Sequence, residues 1–259
     1  MSTFQSLRCE IADHIATVTL DRPPVNAQQR ATQDEIALCF DELSDTPAAR
    51  VVILTGAGRV FSAGADIKAR AAAAPVPGGD RQHLRSARES YHAIMECAKP
   101  VIAAINGPAL GAGLALVASC DILLAAEEAQ LGLPEVTVGL MGGCRHAMRL
   151  LGHSAVRRMM FTGERLSGAE LYRRGVVEAC VPLPELMPAA RAIAARIAAL
   201  SPTAVRMAKH SLNTIAEMSL RDGYRFEQDM TMALSRTPDA MEAKRAFLEK
   251  RAPVFRDAE

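Results

Sequence analysis

The 259-residue chain has almost no net charge: 30 lysines and arginines stand against 29 acidic residues, which leaves +1. Such a balance supplies no global field to hold a polyanion, so nucleic acid is not expected as a partner, and any phosphate-bearing ligand must be met by a local site. Cysteine is sparse and scattered, at positions 9, 39, 97, 120, 144 and 180, with no Cys-x-x-Cys pair and no histidine at metal-ligand spacing. That excludes a disulfide scaffold, argues against a metal site and fits reduced thiols in a cytosol. Residues 1–13 carry Arg8, Glu10 and Asp13 and no apolar run, so no signal peptide is expected and the reading is cytoplasmic. One charge-free stretch, Val101 to Cys120, has the length of a membrane span, but Asn106, Pro108 and three glycines interrupt it. A buried strand, a glycine loop and a buried helix in succession account for those breakers, and no membrane is expected.

What is present fits a folded α/β protein. Hydrophobic residues make up 49% and charged residues 23%, ordinary for one large domain or a core with a modest appendage. His14 to Leu20 reads as a strand, and a helix follows through Ile36, Phe40 and Leu43. The runs 51–54 and 101–105 are wholly apolar, the mark of strands covered on both faces. Residues 69–80, with two prolines and two glycines, predict a mobile loop before a helix at about 81–98. Strands follow over 121–126 and near 176–181, with short helices between them after Gly142 and Gly143. From about residue 185 only helices are predicted, with Ser201 and Thr237 as N-caps before Pro202 and Pro238. Val205, Ala208, Leu212 and Ile215 share one face there. The organisation expected is a core over 1–195 and a helical subdomain over 196–259, whose apolar faces pack on the core or on another subunit.

Familiar phosphate and nucleophile motifs fail. Gly56-Ala-Gly58 needs a third glycine where Phe61 stands, and Gly111-Ala-Gly113 needs one at Leu116. No Tyr-x-x-x-Lys pair supports the alternative of a dehydrogenase, and neither a phosphate-binding P-loop nor a G-x-S-x-G elbow is present. Two segments remain, Phe61 to Lys68 and Asn106 to Gly113, both rich in small residues where a buried strand ends, which lets backbone approach a ligand or simply pack tightly.

Six pieces in one order, DRPPVNA (21–27), FSAGADIK (61–68), INGPALGAG (105–113), CDILLA (120–125), LGLPEVTVGL (131–140) and FLEKRAPVF (247–255), resemble the crotonase (enoyl-CoA hydratase/isomerase) superfamily. The resemblance implies a ββα spiral core with a C-terminal helical subdomain, assembled as a trimer or a dimer of trimers. It implies a CoA thioester substrate with no separate cofactor. The backbone NH groups of Ala65 and Ala112 would form an oxyanion hole. Ala63, Ala65, Asp66, Ile67 and Lys68 would hold the adenine end and nearby phosphates, and Pro24 and Val25 would touch the pantetheine arm. Gly111 and Gly143 join the substrate-binding set, and Lys250 is similar to a C-terminal base that meets a CoA phosphate. An NH at a helix start favours an anion independently of the resemblance.

One position departs from the pattern. Hydratases of the superfamily carry two glutamates, and here the first place is Ala115 while the second is Glu135. Positioned proton transfer contributes about 10² to 10⁴-fold, so hydration by two carboxylates should be badly impaired. One carboxylate suffices to move a proton across an enolate, which makes enoyl-CoA isomerisation the leading expectation. The alternatives are a hydratase with atypical acid/base groups, a ring-opening hydrolase of a cyclic keto-acyl-CoA with Arg145 and His146 orienting water or a second carbonyl, and a non-catalytic acyl-CoA-binding homologue. Tyr172 reads as a plain helix residue, Asp66 as a brace for its loop, and Met159, Met160 and Phe161 as core.

Overall fold

The computed structural model describes residues 2–72 and 74–255. Its first element pair is an antiparallel hairpin, β1 (Leu7–Ala12) and β2 (Ile15–Leu20), turned by Asp13 and His14 with φ of 52° and 62°. Two left-handed residues match the twist of the strands they join. β1 is not among the strands the sequence predicts, because on an edge its Leu7, Cys9 and Ile11 alternate with exposed Arg8 and Glu10 and give no continuous apolar run. Helix α1 (Arg30–Asp45) buries Ile36, Phe40 and Leu43 as its stripe predicts, and every residue of β3 (Val51–Gly56) is buried. The loop expected over 69–80 is shorter than predicted: α2 (Ile67–Ala72) runs into it and α3 (Gly79–Glu96) starts inside it, with Ala73 outside the described residues. The alanines there are strong helix formers, which the prolines and glycines after them outweighed in the reading.

The charge-free stretch divides into β4 (Val101–Ile105), β5 (Pro108–Leu110) and α4 (Ala112–Ala118). Then come β6 (Ile122–Ala126), β7 (Gln130–Gly132), a 3-10 turn at Pro134–Val138, α5 (Cys144–Leu150) and α6 (His153–Thr162). After β8 (Arg165–Ser167), α7 (Gly168–Arg173) and β9 (Ala179–Val181) the chain is helical: α8 (Leu183–Ala198), α9 (Pro202–Ile215), α10 (Leu220–Ser235) and α11 (Pro238–Glu249). No helix among the described residues is long and apolar enough to cross a membrane.

The large sheet runs β1-β2-β3-β4-β6-β9 and is parallel beyond the first hairpin, and a small sheet runs β5-β7-β8. β4 leads to β5 and then α4, and β6 leads to β7 and then the 3-10 turn; Ser62, after β3, pairs with Ala109 in the same way. Each turn of chain thus lays one strand in each sheet before it turns away, the ββα spiral that the resemblance implies. Phe40, Leu54, Phe61, Ile105, Leu114 and Leu131 pack in the core on one side of the large sheet. On the other, α8 covers Ile53, Ile102 and Leu124 with Leu186, Ala190 and Ala194. Continuous apolar strands need both faces covered, and this arrangement supplies both.

Ser201 and Thr237 cap as the sequence predicts, accepting hydrogen bonds from the NH groups of Ala204 (3.0 Å) and Ala240 (3.3 Å) ahead of the first-turn prolines. Other details differ from expectation. Phe161 is 70% exposed, while Met159 and Met160 are core, and the apolar stripe of α9 leaves Leu212 67% exposed. The buried residues of α9 are instead Pro202, Ser211 and Lys209, and the Lys209 Nζ meets Asp121 at 2.8 Å and donates to the Lys99 carbonyl at 3.0 Å. Asp121 in turn accepts from the Val101 NH at 2.7 Å, so this ion pair ties α9 to the start of β4. Lys209 is buried while Asp121 keeps contact with solvent and with the Val101 NH, so losing the lysine removes charge-assisted hydrogen bonds without stranding a buried charge. Lys209→Ala is therefore expected to cost about 1–3 kcal/mol of stability, read as a lowered urea midpoint with an unchanged slope.

Candidate active site

The site forms where three strand ends meet. Ser62 exchanges backbone hydrogen bonds with the 108–110 segment, NH to Pro108 oxygen at 3.1 Å and oxygen to Leu110 NH at 3.0 Å. The contact leaves no room for a side chain at Gly64: a Cβ there would stand 2.6 Å from the Leu110 oxygen and 3.3 Å from the Ala112 nitrogen, and φ is +91°. Ala65 bridges Gln28 in parallel register, with the Gly64 oxygen and the Asp66 NH bonded to Gln28, so its own NH points away from that pairing. Ala112 is the first residue of α4, where an NH has no partner within the helix. The two NH groups expected to hold an oxyanion are thereby left unbonded on segments in contact.

Side chains the sequence does not single out hold this arrangement. Asn26, 3% exposed and with φ of 52°, donates from Nδ2 to the carbonyls of Ala57 (3.0 Å) and Val60 (2.7 Å) and accepts from the Arg22 NH (3.0 Å). Ser62, fully buried, donates to the Asn26 carbonyl (2.8 Å) and accepts from Gln28 Nε2 (3.1 Å). The left-handed conformation that asparagine tolerates is a signal within DRPPVN, but the partners lie more than thirty residues away in sequence. Asp66 is a brace as expected: it accepts from the Ala69 NH (2.9 Å) and pairs with Arg22 (3.0 Å), contacts that hold its carboxyl below the usual range.

Glu135 follows Pro134 in the first turn of the 3-10 segment, and its carboxylate lies over Gly111, next to Ala112. A Cβ on Gly111 would stand 2.4 Å from Glu135 Oε1. Oε2 is buried without a hydrogen-bond partner, and burial pushes the carboxyl pKa up. A carboxylate with one oxygen buried and unpartnered, beside the NH groups expected to hold an oxyanion, suits proton abstraction from carbon. Ala115, one turn into α4, is 1% exposed and offers only a methyl group. Gly143, the N-cap of α5, lies against the Gly111 carbonyl, where its Cβ would come within 3.7 Å. Three residues further, His146 is half-buried and meets the Tyr91 ring edge-on, centroids 4.9 Å apart at 68°. Burial, helped by Arg149, His92 and Arg145, lowers the His146 pKa and keeps the ring neutral at neutral pH. Burial and then the Glu135 charge raise that of Tyr91. Tyr91 carries no local motif, and only the packing of α3 on α5 reveals it.

Other candidates are not gathered here. Arg145 pairs with Glu217 at 2.7 Å and lines a separate cavity of about 890 Å³ with Arg149, Glu178 and Arg196, so the adjacent pair Arg145 and His146 is split between two surfaces. Lys250 caps α11 in left-handed conformation on the C-terminal helices. Pro24 and Val25 are exposed, and the Val25 carbonyl accepts from the Ala63 NH at 3.0 Å, which sets that loop beside the exposed Ala63. Ile67 and Lys68 are exposed on α2. Beside Ala65, a cavity of about 580 Å³ opens between α2 and α3, lined by Gln28, Ala69, Pro75, Val76 and His83. Gly111→Ala is expected to displace the Glu135 carboxylate and lower kcat/KM by about 10²-fold, the effect of a misplacement near 1 Å, measured by steady-state kinetics beside a thermal melt that checks the fold.

Comparison with known proteins agrees with this geometry. The family model "Enoyl-CoA hydratase/isomerase" matches residues 10–258. The crystal structure of an enoyl-CoA hydratase from Bacillus anthracis superposes with a TM-score of 0.92 at 35% identity, over 98% of this chain and 100% of that one. A carnitinyl-CoA dehydratase of Salmonella typhi is 36% identical over 93% of this chain and 95% of its own length. The (7aS)-7a-methyl-1,5-dioxo-2,3,5,6,7,7a-hexahydro-1H-indene-carboxyl-CoA hydrolase of Rhodococcus jostii is 35% identical over 93% of both chains. With a matching family model, a matching fold and relatives that span almost its whole length, the chain is an enzyme of the enoyl-CoA hydratase/isomerase family, within the crotonase superfamily.

Proposed function

We propose that this enzyme isomerises an enoyl-CoA, moving a double bond from the β,γ into the α,β position through a thioester enolate. The observation that carries the reading is the lone carboxylate: Glu135 stands over Gly111 beside the Ala112 NH, and the place of a second carboxylate is the methyl of Ala115. The thioester carbonyl lies between the NH groups of Ala65 and Ala112. Glu135 takes the α-proton, and the electron pair passes into the carbonyl, whose oxygen becomes the anion that the two NH groups receive. Each such donor is worth about 3–4 kcal/mol when it is fixed where charge develops. The dienolate then takes the proton back from Glu135 at the γ-carbon. CoA enters as part of the substrate, held along Ala63 to Lys68, Pro24 and Val25, and this chemistry asks for no further cofactor. Leu220, Phe247 and Leu248, each at least 80% exposed, are the surface on which copies of the chain associate, and in that assembly Lys250 meets a CoA phosphate.

A second reading, ring opening of a cyclic keto-acyl-CoA by water, is favoured by the relative named as a dioxo-hexahydro-indene-carboxyl-CoA hydrolase, together with the neutral His146 packed on Tyr91. There, water adds to a ring ketone and the bond from that carbon to the α-carbon breaks. Its electron pair becomes the same thioester enolate, which takes a proton at the α-carbon.

Glu135→Gln is expected to lower isomerisation of a 3-enoyl-CoA by about 10² to 10⁴-fold, followed by mass spectrometry and chromatography in heavy-oxygen water. The wild-type product should contain no heavy oxygen. Water gained by a 2-enoyl-CoA would overturn the assignment of Ala115, and ring opening with water gain would favour the hydrolase. Because burial raises the Glu135 pKa, its base form appears only above the ordinary carboxylate range. The acid limb of kcat/KM against pH should therefore lie above that range, with activity rising as pH rises through it.

A further inference from the structure

The proton transfer at Glu135 leaves two polar side chains of the same neighbourhood unused. Tyr91 comes from the inward face of α3 and His146 from the first turn of α5, and their rings meet edge to face at 4.9 Å. The two are joined to the reacting centre by a short succession of contacts: Glu135 over Gly111, Gly111 against Gly143, and Gly143 opening the helix that carries His146. Among the described residues, neither the Tyr91 hydroxyl nor a ring nitrogen of His146 has a hydrogen-bond partner. Both side chains are half-buried, and both are uncharged at neutral pH.

A plain hydrocarbon acyl chain would desolvate these groups and return nothing, at the cost of unsatisfied donors and acceptors. An apolar pair such as phenylalanine and leucine would suit a hydrocarbon chain better. A phenol hydroxyl and a neutral imidazole instead match an uncharged oxygen: the phenol donates to a carbonyl, or either group exchanges a hydrogen bond with a hydroxyl. Sites that hydrogen-bond a substrate oxygen discriminate strongly against the analogue that lacks it, because the site's own polar groups are then left unpaired.

We propose that the acyl group of the natural substrate carries a carbonyl or hydroxyl oxygen beyond its β-carbon, and that the Tyr91 phenol holds that oxygen while His146, packed edge-on, fixes the phenol ring. The proposal deepens the reading above and rests on the thioester lying between Ala65, Ala112 and Glu135. It makes Tyr91 a specificity-determining residue and His146 a positioning residue.

The test is a set of dissociation constants, by calorimetry, for hexanoyl-CoA and its γ-oxo and δ-oxo derivatives in the Glu135→Gln protein, where turnover is suppressed. At least one oxo ester should bind roughly tenfold more tightly than hexanoyl-CoA, the size of one well-made neutral hydrogen bond. Adding Tyr91→Phe should abolish that ratio, and adding His146→Ala should reduce it, with hexanoyl-CoA binding measured in each protein as the check on folding. The absence of an oxo advantage in the parent, or an advantage that Tyr91→Phe leaves intact, would overturn the proposal. Isomerisation of 3-hexenoyl-CoA by the wild-type enzyme is read separately. Its absence beside a Tyr91-dependent oxo preference would remove the isomerase reading and keep the oxygen site.

Discussion

The whole site hangs on one backbone contact, that between the segment after β3 and the segment around β5. Ser62 is hydrogen-bonded to Pro108 and Leu110, and Gly64 stands so close to Leu110 and Ala112 that a methyl group does not fit. Only because side chains are absent there can an NH from each segment serve one anion. That contact itself depends on buried polar groups: Asn26 gathers three carbonyls, and Ser62 links Gln28 to the Asn26 carbonyl. Such groups cost little when partnered and much when a partner is lost, so this backbone contact is built on a network that resists partial change.

Around this fixed backbone the chemistry is set by a few side chains. Glu135 is positioned by a proline-initiated turn and made more basic by burial, and among the described residues its Oε2 has no hydrogen-bond partner. The methyl of Ala115 removes the second carboxylate that addition of water would use. Under the proposed reading the site stabilises an enolate and handles one proton, and the polar pair Tyr91 and His146 lies where the acyl chain would leave that centre. The enolate is thus common to several reactions, and the substrate's own shape and oxygens decide which of them follows.

The C-terminal helices illustrate how charge can replace an apolar seam. Lys209 is 6% exposed and bonds to Asp121 and to carbonyls at the end of α3 and before β4, while the apolar residues of α9 to α11 stay largely exposed. The helices are anchored by a directed interaction, and their outward apolar side chains remain exposed.

Much was legible in the sequence where the physics is local. The wholly apolar runs 51–54 and 101–105 became parallel strands covered on both faces, Ser201 and Thr237 capped as their prolines demand, and the small residues at 61–66 and 106–113 marked where backbone approaches backbone. The order of motifs named the superfamily, and Ala115 against Glu135 could be read without coordinates. What was not legible depended on partners distant in sequence. The edge strand β1 shows no apolar run, since only one of its faces is covered. The separation of Arg145 from His146 follows from the helical turn of α5 and from Glu217 in the turn between α9 and α10. Tyr91 enters the site only because α3 packs where α5 presents His146. The sequence by itself determined the strands and caps and showed a carboxylate at 135 with alanine at 115, because periodicity, propensity and residue identity act within a few residues. Tertiary structure alone decided which backbone NH groups stand together, how buried Glu135 is and that Tyr91 meets His146, because hydrogen bonding and desolvation depend on what folding brings together.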